Sequence, residues 1–124
     1  MERELTPPGY VLVLDDDEGI RELIETVLSE EGYEVVGARD SSTALRVVQE
    51  RPVSLIFFDL SLTHGSGEGF LSAYRALPEA TATTIVLSGA ANLPETAARL
   101  GADGYLTKPF DLDDLLAAVT AIRL

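Results

Sequence analysis

The sequence of 124 residues contains no cysteine, one histidine, and nine basic residues against 21 acidic ones. Without cysteine the chain can form no disulfide, no catalytic thiolate and no cysteine-ligated metal site. A single histidine also argues against zinc, which depends on nitrogen and sulfur ligands. No apolar run approaches the length that a membrane-spanning helix needs. We therefore expect any chemistry of this chain to rest on oxygen-bearing side chains.

Acidic residues give the chain a formal net charge of −12. This charge opposes direct binding to nucleic acid, where affinity comes from neutralising phosphates, and opposes docking on an anionic membrane. It suits cationic partners or ions. The first residues, MERELTPPG, lack the apolar segment of a signal peptide. We therefore expect a cytoplasmic protein with no direct nucleic-acid or membrane partner.

The length suits one compact domain. Residues 1–9 are expected to form a polar lead-in, because Pro7, Pro8 and Gly9 interrupt regular structure. The domain is then expected over residues 10–124. Within it, apolar runs typical of buried parallel strands recur five times. These runs are YVLVL (10–14), YEVVGA (33–38), SLIFFDL (54–60), TTIVLSG (83–89) and GYLTKP (104–109).

Helical patterns follow each of these runs. The first lies around 20–28 and is closed by Gly32, and the second spans 40–51 with a serine cap. A loop with three glycines, at 65, 67 and 69, precedes a helix around 70–77. A short helix near 94–100 is ended by Gly101. The last helix starts at Asp111, which pairs with Asp114 as a cap, and its inward positions are Leu112, Leu115, Leu116, Val119 and Ile122.

Alternation of strand and helix predicts an α/β fold of five βα units, a doubly wound parallel sheet with helices on both faces. Ligands of such sheets bind beyond the carboxyl ends of the strands. Four strands are followed there by polar residues: Asp15, Asp16 and Asp17 after the first, Asp59 after the third, Ser88 after the fourth and Lys108 after the fifth. Crowded carboxylates need neutralisation, which Lys108 and a divalent cation could supply, and the all-oxygen set suits Mg²⁺.

Four stretches, VLVLDDDEGIREL, LIFFDLSL, IVLSGA and GADGYLTKPF, resemble the landmarks of response-regulator receiver domains, the phospho-acceptor modules of two-component signalling. The resemblance covers residues 10–124 and implies the flavodoxin-like strand order 2-1-3-4-5. It implies a signalling domain that assists its own phosphorylation and dephosphorylation rather than a turnover enzyme. It also implies a sensor histidine kinase or phosphotransfer protein as donor, a downstream effector as output partner, and a weak dimer.

The resemblance assigns the metal and the acceptor as follows. Asp59 is the phosphoryl acceptor of an Mg²⁺-dependent reaction, and Asp15 and Asp16 hold the metal ion. Asp59 itself and the main-chain carbonyl of Ser61 complete the protein's metal ligands.

The remaining roles concern the phosphoryl group and the response to it. Lys108 pairs with the phosphoryl oxygens, and the hydroxyl of Ser88 senses them. Tyr105 is the aromatic switch, so that phosphorylation changes the surface of strands 4 and 5. The peptide bond between Lys108 and Pro109 is a candidate for the cis isomer.

Three features depart from the usual receiver pattern. Thr63 stands four residues after Asp59, where the family often has proline, so we expect a more mobile loop, although Gly67 occupies the family's usual glycine position. The switch hydroxyl is Ser88 rather than threonine. Only 12 residues separate Ser88 from Gly101, so the fourth helix must be short or its leading loop tight.

Other acidic and basic residues have plainer interpretations. We expect Asp17 and Glu18 to be ordinary solvated residues and His64 to be an exposed loop histidine. Two alternative functions stay open. One is a phosphatase similar to the haloacid dehalogenases, with Asp15 and Asp17 as its Asp-x-Asp pair and Ser88 and Lys108 in its later motifs. The other is a receiver-like adaptor that works without phosphorylation.

Overall fold

The computed structural model describes residues 9–122, without the side chain of Ile122. Most of the predicted lead-in, residues 1–8, lies outside the described part. Strands and helices alternate throughout: β1 Tyr10–Leu14, α1 Glu18–Glu30, β2 Glu34–Ala38, α2 Ser41–Glu50, β3 Val53–Asp59, α3 Gly67–Arg75, β4 Thr83–Ser88, α4 Leu93–Leu100, β5 Gly104–Thr107 and α5 Leu112–Ile122. None of the helices in this range is both long and apolar enough to span a bilayer.

All five strands form one parallel sheet in the order β2-β1-β3-β4-β5. The predicted fold class and strand order are therefore confirmed. Because every strand runs in the same direction, the carboxyl ends of β1, β3, β4 and β5 lie along one edge of the sheet. The residues that follow these strands are thus neighbours in space although they are far apart in sequence.

Both faces of the sheet are apolar because successive strand residues point to opposite sides. Phe58 and its neighbours pack under α2, α3 and α4, whereas Phe57 and its neighbours pack under α1 and α5. Both phenylalanines are fully buried. Burial of one such side chain contributes roughly 1.5–3 kcal/mol. This two-sided packing explains why the strands are continuous apolar runs rather than alternating ones.

The start of α2 differs from the prediction of a serine cap. Asp40 is the N-cap, with an extended backbone, and its side chain accepts a 2.8 Å hydrogen bond from the Thr43 N–H. The Ser42 hydroxyl donates to the same carboxylate at 3.1 Å. The helix was predicted to include Asp40, but this residue lies just before the first turn, where its carboxylate can accept from the unpaired amides.

Helix α3 begins at Gly67 rather than near Phe70, so two of the three glycines predicted to lie in a loop are helical. Ser66 caps the helix and accepts a 3.0 Å hydrogen bond from the Gly69 N–H. A Cβ atom at Gly67 would lie 2.0 Å from the Asp59 carbonyl oxygen. Glycine at this position therefore lets the start of α3 approach the end of β3 closely.

The fourth helix is short, as its spacing required, with eight residues from Leu93 to Leu100. Gly101 ends it in the left-handed conformation at φ 73°. Two side-chain bonds from Arg75 in α3, to the main-chain oxygens of Leu100 at 2.5 Å and Gly101 at 2.7 Å, satisfy carbonyls at this end. They anchor α4 to α3.

Helix α5 carries the reciprocal cap that was predicted. The Asp114 N–H donates to Asp111 Oδ1 at 2.9 Å, and the Asp111 N–H donates to Asp114 Oδ2 at 3.2 Å. Leu115 and Val119 are buried as expected. The inward prediction for Leu112 is wrong, since it is 49% exposed as the first helical residue, before the turns that lie against the sheet. The predicted inward side chain of Ile122 lies outside the described part.

Candidate functional site

Three aspartates follow β1, and the third has a structural role. Asp17 is the N-cap of α1, and its Oδ1 accepts hydrogen bonds from the Gly19 N–H at 2.9 Å and the Ile20 N–H at 3.2 Å. Asp17 is exposed to solvent, as predicted, and its carboxylate also satisfies two amides of the first helical turn, a capping role that the prediction did not include. The negative charge there is also favoured by the helix dipole.

The first aspartate is fully buried at the end of β1. Asp15 Oδ1 accepts a 2.9 Å hydrogen bond from the Asp17 N–H, and its main-chain oxygen accepts a 2.7 Å bond from Arg21 Nη1. The other carboxylate oxygen, Oδ2, has no aligned hydrogen bond, although the Lys108 ammonium lies 2.8 Å away. The role of Arg21 was missed because its spacing from Asp15 matches no capping pattern.

Lys108 joins the ends of β1 and β3. Its Nζ lies 2.8 Å from Asp15 Oδ2 and donates to Asp59 Oδ2 at 3.0 Å. Asp59 is 6% exposed, and its other oxygen accepts a 3.2 Å hydrogen bond from the Ser61 N–H. The lysine side chain is 22% exposed, so it lies at the edge of the buried group rather than inside it. The structure thus brings Asp15, Asp59 and Lys108 together, from three separate strands.

Burial and charge act against each other in this group. Burial raises the pKa of Asp15 above its ordinary value, against the opposing effects of the Lys108 ammonium and the Asp17 N–H. Burial alone would lower the pKa of Lys108, but the close carboxylates of Asp15 and Asp59, to the second of which Lys108 donates a hydrogen bond, outweigh burial and raise the pKa. Lys108 is therefore held as a cation at neutral pH, and its charge opposes the effect of burial on the pKa of Asp15.

The second aspartate, Asp16, is half-buried and faces the loop between β3 and α3. The N–H of Thr63 donates to Asp16 Oδ2 at 2.7 Å, and the Thr63 hydroxyl bonds to the same oxygen. These two bonds lower the pKa of Asp16. Thr63, which stands where the family often has proline, supplies an N–H that ties the loop to Asp16, whereas the mobility expected of this loop stays a prediction. Sequence offered no signal for this contact between residues 47 positions apart.

The arrangement fits a divalent cation. One carboxylate oxygen from each of Asp15, Asp16 and Asp59 lies within 4.8 Å of the others. Three negative charges and the single Lys108 charge leave a formal excess of −2 at this point. The buried Asp15 Oδ2 without an aligned hydrogen bond is a lone-pair donor that a cation could use. Oxygen ligands with access to water are those that Mg²⁺ prefers.

The two predicted switch residues lie on the neighbouring strands, Ser88 at the end of β4 and Tyr105 on β5, three residues before Lys108. Ser88 is buried, its Oγ accepts a 3.0 Å bond from the Ala90 N–H, and its main-chain oxygen accepts a 2.8 Å bond from the Lys108 N–H. Tyr105 is 46% exposed on β5. The bond between Lys108 and Pro109 is cis. His64 is exposed, as predicted.

Comparison with known proteins agrees with this geometry. The family model described as response regulator receiver domain matches residues 11–120. The transcriptional regulatory protein KdpE of Mycobacterium tuberculosis is 37% identical over 113 residues, which are 90% of this chain and 49% of that protein. A probable chemotaxis protein CheY of Rhizobium etli is 30% identical over 116 residues, 90% of each chain. The chain therefore spans about half the length of one relative and most of the other.

Solved structures show the same fold. A chemotaxis response regulator of Vibrio cholerae matches with a TM-score of 0.84 and 28% identity, covering 91% of this chain and 97% of that one. A putative response regulator of Chloroflexus aurantiacus also reaches a TM-score of 0.84 at 28% identity. From the match over residues 11–120 and the shared fold, the chain belongs to the response regulator receiver domain family of two-component systems, whose members are signalling domains rather than turnover enzymes.

Proposed function

We propose that this chain is the phospho-accepting receiver of a two-component phosphorelay and that Asp59 takes up the phosphoryl group in an Mg²⁺-dependent reaction. The observation that carries the proposal is the position of the Lys108 ammonium, within 3.0 Å of both Asp15 and Asp59. Two buried carboxylates and a third beside them carry more negative charge than Lys108 alone can balance. This excess supports a divalent cation at the site.

The chemistry follows from these charges. A carboxylate oxygen of Asp59 attacks the phosphorus of a phosphohistidine, the P–N bond breaks, and its electron pair returns to the imidazole of the donor. Each carboxylate oxygen has two lone pairs, so the bonds from Lys108 and Ser61 leave one free on each oxygen of Asp59. The Lys108 ammonium neutralises phosphoryl oxygens as they arrive, which is the main requirement of phosphoryl transfer.

The metal ligands in this proposal are the carboxylates of Asp15, Asp16 and Asp59 and the main-chain carbonyl of Ser61. Bound there, Mg²⁺ would supply the positive charge that the cluster lacks and would orient the phosphoryl oxygens. Asp15 and Asp59 are positioned for this by the ends of their strands, and Asp16 by the adjoining loop.

The response to phosphorylation is assigned to Ser88 and Tyr105. Among the described residues, the Ser88 hydroxyl accepts one hydrogen bond and donates none, so its proton is available to a phosphoryl oxygen on Asp59. A cavity of about 430 Å³ between α4, β5 and α5 is lined by Tyr105 together with Ala97 and Ala98. Tyr105 turns into this space when Ser88 moves, and the surface of β4 and β5 changes shape.

The wider assignments are part of the same proposal. The donor is a sensor histidine kinase or a phosphotransfer protein, and the output goes to a downstream effector protein or domain. The receiver extends over residues 10–124 with residues 1–9 as a lead-in, acts in the cytoplasm, dimerises weakly and makes no direct contact with nucleic acid or membrane. The net charge of −12 supports the last point.

The two alternative functions are less well supported. A phosphatase of the haloacid-dehalogenase type needs Asp15 as an open nucleophile and Asp17 as its partner. Here Asp15 has no exposed surface, unlike Asp59, and Asp17 caps α1. Burial of the charged groups of Asp15, Asp59 and Lys108 costs solvation free energy, and an adaptor that works without phosphorylation does not explain why they are buried together.

The test is labelling with acetyl phosphate in the presence and absence of Mg²⁺, followed on a phosphate-affinity gel. Wild type and Asp17→Asn should be labelled when Mg²⁺ is present, since asparagine caps a helix as well as aspartate does. Asp59→Asn should not be labelled. Labelling of Asp59→Asn at the wild-type level would contradict the proposal, and loss of labelling in Asp17→Asn alone would favour the phosphatase.

The switch has its own measurement. Beryllofluoride with Mg²⁺ forms a stable analogue of the aspartyl phosphate, and NMR then follows Ser88 and Tyr105. We expect chemical-shift changes at both residues in wild type and none in Asp59→Asn. Changes confined to the metal cluster, without any at Tyr105, would contradict the proposed surface change.

A further inference from the structure

Thr63 makes two contacts that the acceptor chemistry does not explain. Its N–H and its hydroxyl both bond to one oxygen of Asp16, Oδ2. In the receiver domains that this chain resembles, proline is frequent at position 63. Proline has neither an N–H nor a hydroxyl, so it could make neither bond. The double contact is therefore a consequence of the residue that sets this chain apart.

The loop that carries Thr63 is itself held at both ends. Ser61 and Ser66 form an antiparallel bridge, and the Gly67 N–H donates to the Leu60 main-chain oxygen at 3.0 Å. These contacts hold both ends of the loop tip, whose Thr63 donors contact Asp16. Because both of these contacts are between main-chain atoms, a change of the Thr63 side chain does not remove them.

Asp16 needs such support more than its neighbours do. Asp15 and Asp59 are buried and form ion pairs with Lys108, whereas Asp16 is only half-buried and has no ion pair within 4 Å among the described residues. A half-exposed carboxylate is free to turn toward water. Two donors on Oδ2 fix its rotamer and leave the other oxygen, Oδ1, available as a metal ligand.

We propose that Thr63 is a positioning residue for the metal ligand Asp16 and that it raises the affinity of the site for Mg²⁺. This inference rests on the proposed Mg²⁺-dependent function. Partners that orient a metal ligand typically change metal affinity by about 10-fold to 100-fold when they are removed. Since Thr63 orients one carboxylate of three, an effect of about 10-fold for loss of both donors is expected.

The test measures the Mg²⁺ dissociation constant by titration calorimetry for the wild-type chain and four variants. Thr63→Val removes only the hydroxyl, Thr63→Pro removes both donors, and Thr63→Ser restores both. Thr120→Val is the matched control, because Thr120 is an exposed threonine on α5, far from the cluster in sequence. Urea unfolding with EDTA present checks that every variant folds.

We expect Thr63→Ser and Thr120→Val to bind Mg²⁺ as wild type does, Thr63→Val to bind several-fold more weakly, and Thr63→Pro about 10-fold more weakly. Equal or tighter binding by Thr63→Val and Thr63→Pro would overturn the inference while leaving Mg²⁺ binding, and hence the proposed function, intact. If the wild-type chain bound no Mg²⁺, both would fall together. In metal-free protein, exchange of the Thr63 amide proton should be slow, and exchange at the rate of an open loop would also contradict the proposal.

Discussion

Replacement of Lys108 by methionine tests the charge balance of the site. Methionine keeps much of the length of the side chain but removes the ammonium, so the carboxylates of Asp15 and Asp59 remain near each other without a counter-ion. At an effective dielectric constant of about 20, the ammonium attracts each carboxylate oxygen by between about 5 and 6 kcal/mol at the observed 2.8 and 3.0 Å. Carboxylates within 4.8 Å repel each other by at least about 3 kcal/mol under the same conditions.

The net effect is smaller than these gross terms, because burying the ammonium costs solvation energy. Removing one partner of a buried ion pair typically costs about 3–5 kcal/mol. The Lys108 side chain is 22% exposed, so water can reach the uncovered carboxylates in part. We therefore expect Lys108→Met to lower the free energy of unfolding by about 2–3 kcal/mol without Mg²⁺. The melting temperature should fall by about 10 °C.

A double-mutant cycle isolates the pair. Asp15→Asn removes the second charge, and we expect Lys108→Met to cost at least about 1.5 kcal/mol less in that background than in wild type. Urea unfolding with EDTA, followed by circular dichroism, measures all four proteins. Arg99→Met is the control, because it removes a positive charge from an exposed pair with Glu68 at 3.2 Å and should cost less than about 1 kcal/mol.

The pH dependence of the same proteins has a definite sign. The folded state raises the pKa of Lys108, so its contribution is complete below the ordinary value of 10.5 and is lost as pH rises through the folded-state pKa. The gap between wild type and Lys108→Met should therefore persist up to pH 10.5 and close above it. Equal losses in Lys108→Met and Arg99→Met, or no coupling with Asp15→Asn, would refute the charge-balance account.

Two further predictions concern the frame of the site. Asp40→Ala removes the cap of α2 and should cost about 1 kcal/mol at pH 7. Because the hydrogen bonds from Thr43 lower the pKa of Asp40 below 3.8, the charge-dependent part of this cost should shrink as pH falls below 3.8 through the folded-state pKa. Urea unfolding at pH 7 and at pH 3 can check this, and an unchanged gap at pH 3 would contradict it. Gly67→Ala forces a Cβ within 2.0 Å of the Asp59 carbonyl oxygen and should cost more than about 2 kcal/mol, whereas Gly69→Ala should stay within about 1 kcal/mol of wild type. Equal stability of the two glycine variants would contradict this prediction, because it would show that the backbone shifts at Gly67 with little loss of free energy.

Much of the fold could be predicted because its signals are local and repeated. Five apolar runs alternate with helical patterns, and that alternation permits few arrangements other than a parallel sheet with helices on both faces. The meeting of Asp15, Asp59 and Lys108 then follows from topology, since each lies at the carboxyl end of a strand. That these three residues meet could therefore be predicted without knowing how their side chains pack.

The parts that were missed depend on side-chain choice at the ends of elements. Asp17 and Asp40 are both caps, but each stands beside other polar residues that could have served instead. The position of Gly67 inside α3 depends on a close approach to β3 that becomes visible only after the chain is packed. The bond between Thr63 and Asp16 joins residues on two different loops, and no periodic pattern describes it.

The central claim is that Asp59 carries the phosphoryl group. The most direct measurement is to incubate the chain with acetyl phosphate and Mg²⁺, reduce the acyl phosphate with borohydride, and locate the modified residue by peptide mass spectrometry. We expect Asp59 to be the aspartate converted to the reduced alcohol, and omission of Mg²⁺ to remove the signal. Modification at Asp15, or at no aspartate while Mg²⁺ is bound, would contradict it.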